Sequence, residues 1–403
     1  MSLPLRLPPL SASAVQPNDI RVALVSGNYN GVRDGANGAL NRLVEFLLRQ
    51  GVHVRVYSPT VDEPAFEPTG DLVGLPSVPI PGRSEYRLSL GLPPRIRKDL
   101  AEFDPNIVHI SAPDISGHRA VSWARARGIP AVASVHTRFD TYLAYYGLGS
   151  LEPLARAIMR RIYRRCDAIL APAESTAAVL EAQRMNRFIS IWSRGIDRDI
   201  FNPKRRSLEW RRSRGISDDD FVVLFLGRLV MEKALDVFSD AVDLLKERGV
   251  NHRVLVIGDG PAQSWFQERL PDAIFVGHLQ GAELSRAVAS SDVLLNPSVT
   301  EAFGNVTLEA MACSIPVVAA DSTGATNLVR DGVTGILTEP GDAEGIADAL
   351  AQYASNLELR KKHGRAGLVI AKTHDWDQIN SAVLKTYSRA IERRKRLKRL
   401  TGR

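Results

Sequence analysis

The chain has 403 residues, 44% of them apolar and 24% charged, the composition of a soluble globular protein. That length is too great for one ordinary core and suits two domains of about 150–200 residues. No apolar run approaches the roughly 20 residues that cross a bilayer, and two cysteines, Cys166 and Cys313, make neither a zinc site nor a disulfide framework. The net charge is +7, yet the last sixteen residues, SRAIERRKRLKRLTGR, carry eight Lys/Arg against one Glu, so the remainder is neutral.

In chain order, the proline-rich opening (residues 1–19) lacks the apolar centre of a signal peptide and reads as a loose arm, with cytoplasmic residence as the default. IRVALVSGNY (20–29), GALNRLVEFLLRQG and HVRVYSP then give strand, helix, strand. Further strands are predicted at NIVHISAP (106–113), PAVASVHT (130–137) and DAILAPA (167–173), with helical segments between them. Such alternation predicts a parallel sheet covered on both faces. In LARAIMRRIYRRCDAI, Leu154, Ile158 and Ile162 share a helical stripe, with Arg156, Arg160, Arg161, Arg164 and Arg165 elsewhere. This suits a helix lying on a membrane surface, or equally a core helix with an arginine-rich outer face.

The rhythm restarts after SRGIDRDIFNP (193–203), where Gly and Pro interrupt periodicity. DFVVLFLGRL (220–229), HRVLVIGDGP (252–261), IFVGHL, DVLLNPS and IPVVAA are strands separated by helices, and residues from Trp376 onward form one long helix. The expected organisation is therefore α/β, with doubly wound domains over 20–192 and 193–374. A helix and basic tail over 375–403 are expected to pack back on the first domain. In open parallel sheets ligands bind beyond the carboxyl ends of strands, so two such domains would enclose a cleft between those ends.

Candidate chemistry follows the strands. Arg228 stands just past one and Lys233 five residues later, before a helix, as two cations suited to a diphosphate; the plain alternative is one paired and one solvated cation. VIGDGP lacks the third glycine of a dinucleotide fingerprint and reads as a tight turn. In TEAFGNVTLEAMA, Glu301 lies in a loop and Glu309 one turn into a helix, beside the amides of Phe303, Gly304 and Asn305. Two carboxylate acceptors with amide donors suit the vicinal hydroxyls of a nucleotide sugar. An acid/base pair and a merely capped helix remain open alternatives. The acidic pairs at Asp197–Asp199 and Asp218–Asp220 read as structural.

GRLVMEK, VIGDGP, FVGHL, DVLLNPSVTEAFGNVTLEAMACSIPVVAA and DGVTGILTEPGD together resemble the carboxyl half of the retaining family-4 glycosyltransferases, whose GT-B fold sets two Rossmann-like domains around a cleft. DGANGALNRLVEFL and EAFGNVTLEAMA look most like members acting on membrane lipids, such as sulfoquinovosyl or mannosyl diacylglycerol transferases. The resemblance implies that Arg228 and Lys233, with Gly227 beside them, hold the donor diphosphate. It gives Glu301 and the stretch Ala302, Phe303, Gly304, Asn305, Val306 to the donor sugar, and Glu309 to the ribose. It also puts His136 at the sugar, Gly35 at the phosphate, and His278 and Leu279 near the base, with Asp34, His109 and Asp114 on the acceptor side. Where the family often has two adjacent glycines, this chain has Asp34-Gly35-Ala36.

The implied reaction is retaining, metal-independent transfer of a hexosyl group from a UDP- or GDP-sugar to a lipid hydroxyl, with no cofactor. It would occur on the inner face of the plasma membrane, which the Arg-rich helix 154–165 and the tail 389–403 would touch. The alternatives are a soluble sugar acceptor, a sugar-nucleotide epimerase and, least favoured, a nucleic-acid-binding protein. The neutral body of the chain and its lack of interleaved aromatics argue against the last.

Overall fold

Short apolar runs such as RVALV, AILA and VVLFL are buried at nearly every position, which only a strand covered on both faces can achieve. The computed structural model describes residues 15–32, 34–80, 83–136 and 149–401. Most of the expected arm (1–14), Thr137 of the expected strand 130–137, and the last two residues of the tail lie outside these.

The first domain contains β1 (Arg21–Val25), β2 (His53–Pro59), β3 (Asp71–Leu75), β4 (Ser77–Ile80), β5 (Arg83–Ser89), β6 (Ile107–Ile110), β7 (Ala131–Ser134), β8 (Ala168–Ala171) and β9 (Ile189–Ile191). Seven of them form a parallel sheet in the order β3-β2-β1-β6-β7-β8-β9, while β4 and β5 make a separate antiparallel hairpin. The second domain contains β10 (Val222–Leu226), β11 (Arg253–Ile257), β12 (Ile274–Phe275), β13 (Val293–Asn296), β14 (Val317–Ala320) and β15 (Gly335–Thr338). They form a parallel sheet in the order β12-β11-β10-β13-β14-β15. In both sheets the chain starts near the middle and reverses direction, which opens a crevice at the carboxyl ends beside β1 and β10.

Each sheet has an apolar core on either face. In the first domain, one face packs Ile96, Val121, Met159 and their neighbours. The other packs Leu40, Leu43 and Leu47 from the Gly35–Arg49 helix together with Val383, Tyr387 and Ile391 from the last helix, Trp376–Thr401. The chain therefore leaves the first domain after β9, builds the second, and returns. At the return, the Ile196 N–H donates to the His374 carbonyl (2.9 Å), and a Cβ on Gly195 would lie 2.5 Å from the Trp376 ring.

Two details of charge depart from expectation. The apolar stripe of the Glu152–Tyr163 helix does not run straight: Leu154 and Ile158 are 59% and 52% exposed, whereas Ile162 is 3% exposed and sits in the core. Residues eight apart on an α-helix are offset by roughly 80°, so the row turns inward along its length. The outward apolar row is Leu151, Leu154 and Ile158. In the basic tail, Arg393 and Arg394 are not free for a partner, because both clamp the buried Asp167 carboxylate at 2.9–3.1 Å.

Candidate active site

Three loops at the carboxyl ends of β10, β11 and β12 are laced together by backbone. The Gly227 N–H donates to the Ile257 carbonyl, the Leu229 N–H to the Asp259 carbonyl (2.7 Å), and the Gly258 N–H to the Gly277 carbonyl (2.9 Å). A Cβ on Gly258 would lie 1.9 Å from the Gly227 oxygen, at a φ of +138° that favours glycine anyway. VIGDGP is thus the wall on which the Arg228 loop rests. Beyond Arg228 the chain forms a single turn, Met231–Lys233, tied to the β13 loop by the Thr300 hydroxyl, which donates to the Glu232 carbonyl at 3.2 Å.

That tie brings Lys233 and Glu301 into a direct ion pair in which both side chains are only partly shielded from solvent. Gly324 backs the Glu301 loop so closely that a Cβ there would lie 2.3 Å from the Glu301 Cβ. The loop ends at Gly304 (φ +98°), which opens the Asn305–Ala312 helix with no side-chain cap. Its first amides are therefore free to donate to an anion or a hydroxyl oxygen, helped by the positive end of the helix dipole. Glu309, half-buried one turn inside, has its carboxyl pushed up to about 8, first by burial and then by the negative charge of Glu301.

Phe303 supplies no side chain to this site: it is buried against the His374 ring (5.7 Å), and only its backbone is available. The Ala302 carbonyl accepts from the Thr176 hydroxyl of the first domain (3.3 Å). Val306 and Leu279 pack on the second-domain core, and His278 is exposed at the end of β12.

Across the cleft, Gly35 is the first residue of its helix, and Asp34 caps that helix by accepting the Asn37 N–H at 2.7 Å. A Cβ on Gly35 would lie 2.0 Å from Asn305 Nδ2. Two helix N-termini, one from each domain, thus meet beside Arg228, whose charge also acts on Asp34. Arg228 donates to the Tyr86 hydroxyl (3.4 Å), with its guanidinium 6.0 Å from that ring, so β5 reaches over the cleft. Asp114 caps the Ile115–Ala126 helix through the Gly117 N–H (2.7 Å), and its other carboxylate oxygen faces Gly27 in the loop after β1.

His136, just past β7, has both ring nitrogens engaged: Nδ1 with Arg194 at 3.0 Å and Nε2 with the Ser134 hydroxyl at 2.8 Å. His109 corrects the sequence reading. Expected on the acceptor side, it is 0% exposed within the sheet, bonded to Ser134 (2.9 Å) and to Tyr387 of the last helix (2.6 Å). Mid-strand position, rather than residue type, decides this: β6 is buried on both faces. Arg194 and Tyr86 were not singled out from sequence. The only signal for Arg194 is a lone cation in the apolar stretch IWSRGI, and Tyr86 lies in a hairpin whose short strands leave no periodic trace. Among the described residues no cluster of His, Cys, Asp or Glu is arranged to hold a metal.

Two facing parallel-sheet domains with paired helix N-termini and cations at their rims have the layout of GT-B glycosyltransferases. A sucrose-phosphate synthase from Thermosynechococcus elongatus superposes with a TM-score of 0.77 at 19% identity, covering 92% of this chain and 98% of that one. Residues 33–200 match the family model described as Glycosyltransferase Family 4, and residues 220–356 match Glycosyl transferases group 1. The chain is 32% identical to the sulfoquinovosyl transferase SQD2 of Arabidopsis thaliana over 89% of its own length and 71% of the relative's. It is also 32% identical to a GDP-mannose-dependent alpha-mannosyltransferase of Mycolicibacterium smegmatis, over 93% and 99% of the two chains. The protein belongs to this family of glycosyltransferases.

Proposed function

We propose that the enzyme moves a hexosyl group, with retention and without a metal, from a nucleoside-diphosphate sugar to a hydroxyl of a membrane lipid. The reading is carried by the meeting of Arg228 and the Lys233–Glu301 pair with the Gly35 and Asn305 helix N-termini. Arg228, Lys233 and the two helix ends bind the diphosphate and neutralise it as it leaves, a job that then needs no divalent ion. Glu301 and the amides from Ala302 to Val306 hold the sugar, and Glu309 accepts from the ribose diol. The acceptor oxygen bonds to the anomeric carbon as the bond from that carbon to the phosphate oxygen breaks. The bonding pair stays on the phosphate, which takes the acceptor proton on the same face.

A lipid acceptor is supported by the surface of the first domain. Leu151, Leu154 and Ile158 are exposed along the start of one helix, and Leu90 and Ile115 are exposed as well, with Ile115 lying against Gly91, the residue after Leu90. Arg161 and Arg165 continue the first helix toward the Ile115–Ala126 helix, where Arg165 donates to the Ser122 hydroxyl (2.9 Å). An apolar strip flanked by arginines suits an anionic membrane, here the inner face of the plasma membrane. No described helix is long and apolar enough to cross a membrane. The test is nucleotide release from a panel of UDP- and GDP-sugars, with and without membrane lipid and with a chelator arm. Turnover of one donor only with lipid, insensitive to chelator and absent in Glu309→Ala, is expected. Lipid-independent transfer to a soluble sugar would overturn the acceptor assignment, and loss of turnover with chelator would overturn metal independence.

A further inference from the structure

Arg194 is an unusual arginine. It is 4% exposed, and no carboxylate among the described residues lies within ion-pair distance of it. Its NH1 donates to the carbonyls of Trp192 (3.0 Å) and Ser193 (3.1 Å), and its own carbonyl accepts from His374 Nδ1 (2.9 Å) at the crossing between domains. Burying a cation without a paired carboxylate costs several kcal/mol, so shape alone is a poor reason for it. What its charge reaches is His136 Nδ1.

A guanidinium has no acceptor, so Nδ1 must be the bare nitrogen and Nε2 must carry the proton. Nε2–H then donates to the Ser134 oxygen, whose own proton goes to His109 Nε2. With Nε2 accepting, His109 donates from Nδ1 to the Tyr387 oxygen. Four hydrogen bonds thus run in one direction, from the interdomain crossing through the first sheet to the last helix. His136 also packs edge-on against Trp192, ring centres 5.4 Å apart, so its ring cannot turn without breaking the stack.

We propose that Arg194 is a positioning residue that locks His136 as the Nε2–H tautomer, so that the ring forms a fixed wall at the end of β7. The role deepens the transferase reading and rests on it for its kinetic consequence. A ring with both nitrogens occupied is no base for the acceptor hydroxyl, which leaves that proton to the departing phosphate. The titratable and charged groups around the pair, among the described residues, are His109 from β6, Tyr387 from the last helix, Asp34 from the cap of the first, and His374 at the crossing, whose imidazole burial holds below its ordinary value. Burial pushes His109 down to about 3 and Tyr387 up, so both stay neutral, and the Asp34 charge acts on Arg194. The His136 imidazole is itself held well below its ordinary range by burial, then by the charge of Arg194 and by His109.

The test uses the full chain with 15N-labelled histidine, reading the ring nitrogens of His136 across pH 5.5–8.5 and assigning them by their loss in His136→Gln. The wild-type ring is expected to show the Nε2–H pattern at every pH. In Arg194→Met burial still keeps the ring neutral, but the ring should lose its single tautomer and show Nδ1–H as well as Nε2–H signals. Turnover of that variant should fall about 10²-fold, with donor KM little changed. Arg194→Lys, which still donates to Nδ1, should restore the single Nε2–H pattern and part of the rate. An Nδ1–H pattern in the wild type, or an unchanged pure Nε2–H pattern in a folded Arg194→Met, overturns the proposal. These spectra need no substrate, so their outcome is separate from that of the transferase reading. A normal spectrum in an inactive enzyme would sink only the latter.

Discussion

Gly35 and Asn305 touch across the cleft from the first turns of helices in different domains, so that a β-carbon on Gly35 would have to displace the Asn305 amide. The φ of Gly35 is not in the left-handed region, so the constraint is contact and not backbone conformation. Gly35→Ala should leave the melting temperature nearly unchanged, since alanine is the better helix former. It should raise the donor KM by about tenfold by holding the helix ends apart. Asn305→Ala in the same background should recover most of that loss, and the coupling is read from a double-mutant cycle of kcat/KM. Additive effects would mean that the two residues act independently.

The Lys233–Glu301 pair sets a second expectation. If Lys233 stabilises charge as it develops on the leaving phosphate, Lys233→Ala should cut kcat by about 10²-fold or more. A loss confined to KM would assign the ammonium to binding. Glu301→Gln, which keeps the shape but loses the ion pair, should reduce kcat/KM more than it reduces stability, because the pair is partly open to solvent.

With Glu309 assigned to the ribose as proposed, donor binding should depend on pH. Its carboxyl sits at about 8 in the free protein, so it is mostly protonated at pH 7. The ribose diol prefers the ionised form as acceptor, so binding should release a proton and affinity should fall as pH drops below about 8. Calorimetry in buffers of different ionisation enthalpy measures this release. The same raised pKa works against stability as pH rises. Between the unfolded value of about 4.3 and the folded value, the native state holds more protons than the unfolded one, so stability falls with pH across that window. Glu309→Gln should therefore melt about 2–4 °C above wild type at pH 8.5 while losing donor binding.

Asp167 is buried and held by two arginines of the last helix, and it also accepts the Ala131 N–H at 3.0 Å. Asp167→Asn should destabilise the protein by about 3 kcal/mol, measured by denaturant unfolding, since it leaves a buried cluster of donors short of an acceptor. Charge reversal at the exposed Lys395 and Lys398 should leave stability unchanged and weaken binding to anionic vesicles. Deleting 389–403 outright confuses the two effects, because it also removes Ala390 and Ile391 from the core.

Much of this was legible because parallel strands announce themselves as β-branched runs ending in Gly or Pro. β2 spans the predicted HVRVYSP, and Glu309 lies one turn into its helix as expected. β3, β4, β5, β9 and β15 were missed: they are three to seven residues long, half-exposed or interrupted by Gly and Pro, and thus carry no strong period. The site was legible only within each half of the chain. That Asn305 meets Gly35, that Tyr86 covers Arg228, and that Arg194 donates to His136 are facts of tertiary contact, 58 to 270 residues apart, which no local pattern encodes. His109 shows the reverse: a histidine given an acceptor-side role by the family resemblance lies within a strand buried on both faces.

The last helix also sets the order in which the molecule can be made. Val383, Tyr387, Ala390 and Ile391 complete the core of a domain whose first strand is Arg21–Val25. A chain emerging from the ribosome can finish its second domain while the first still shows an open apolar face, which closes only after the 26 residues of that helix are released. A product cut short before Trp376 therefore carries a folded second domain beside a first domain whose apolar face is uncovered.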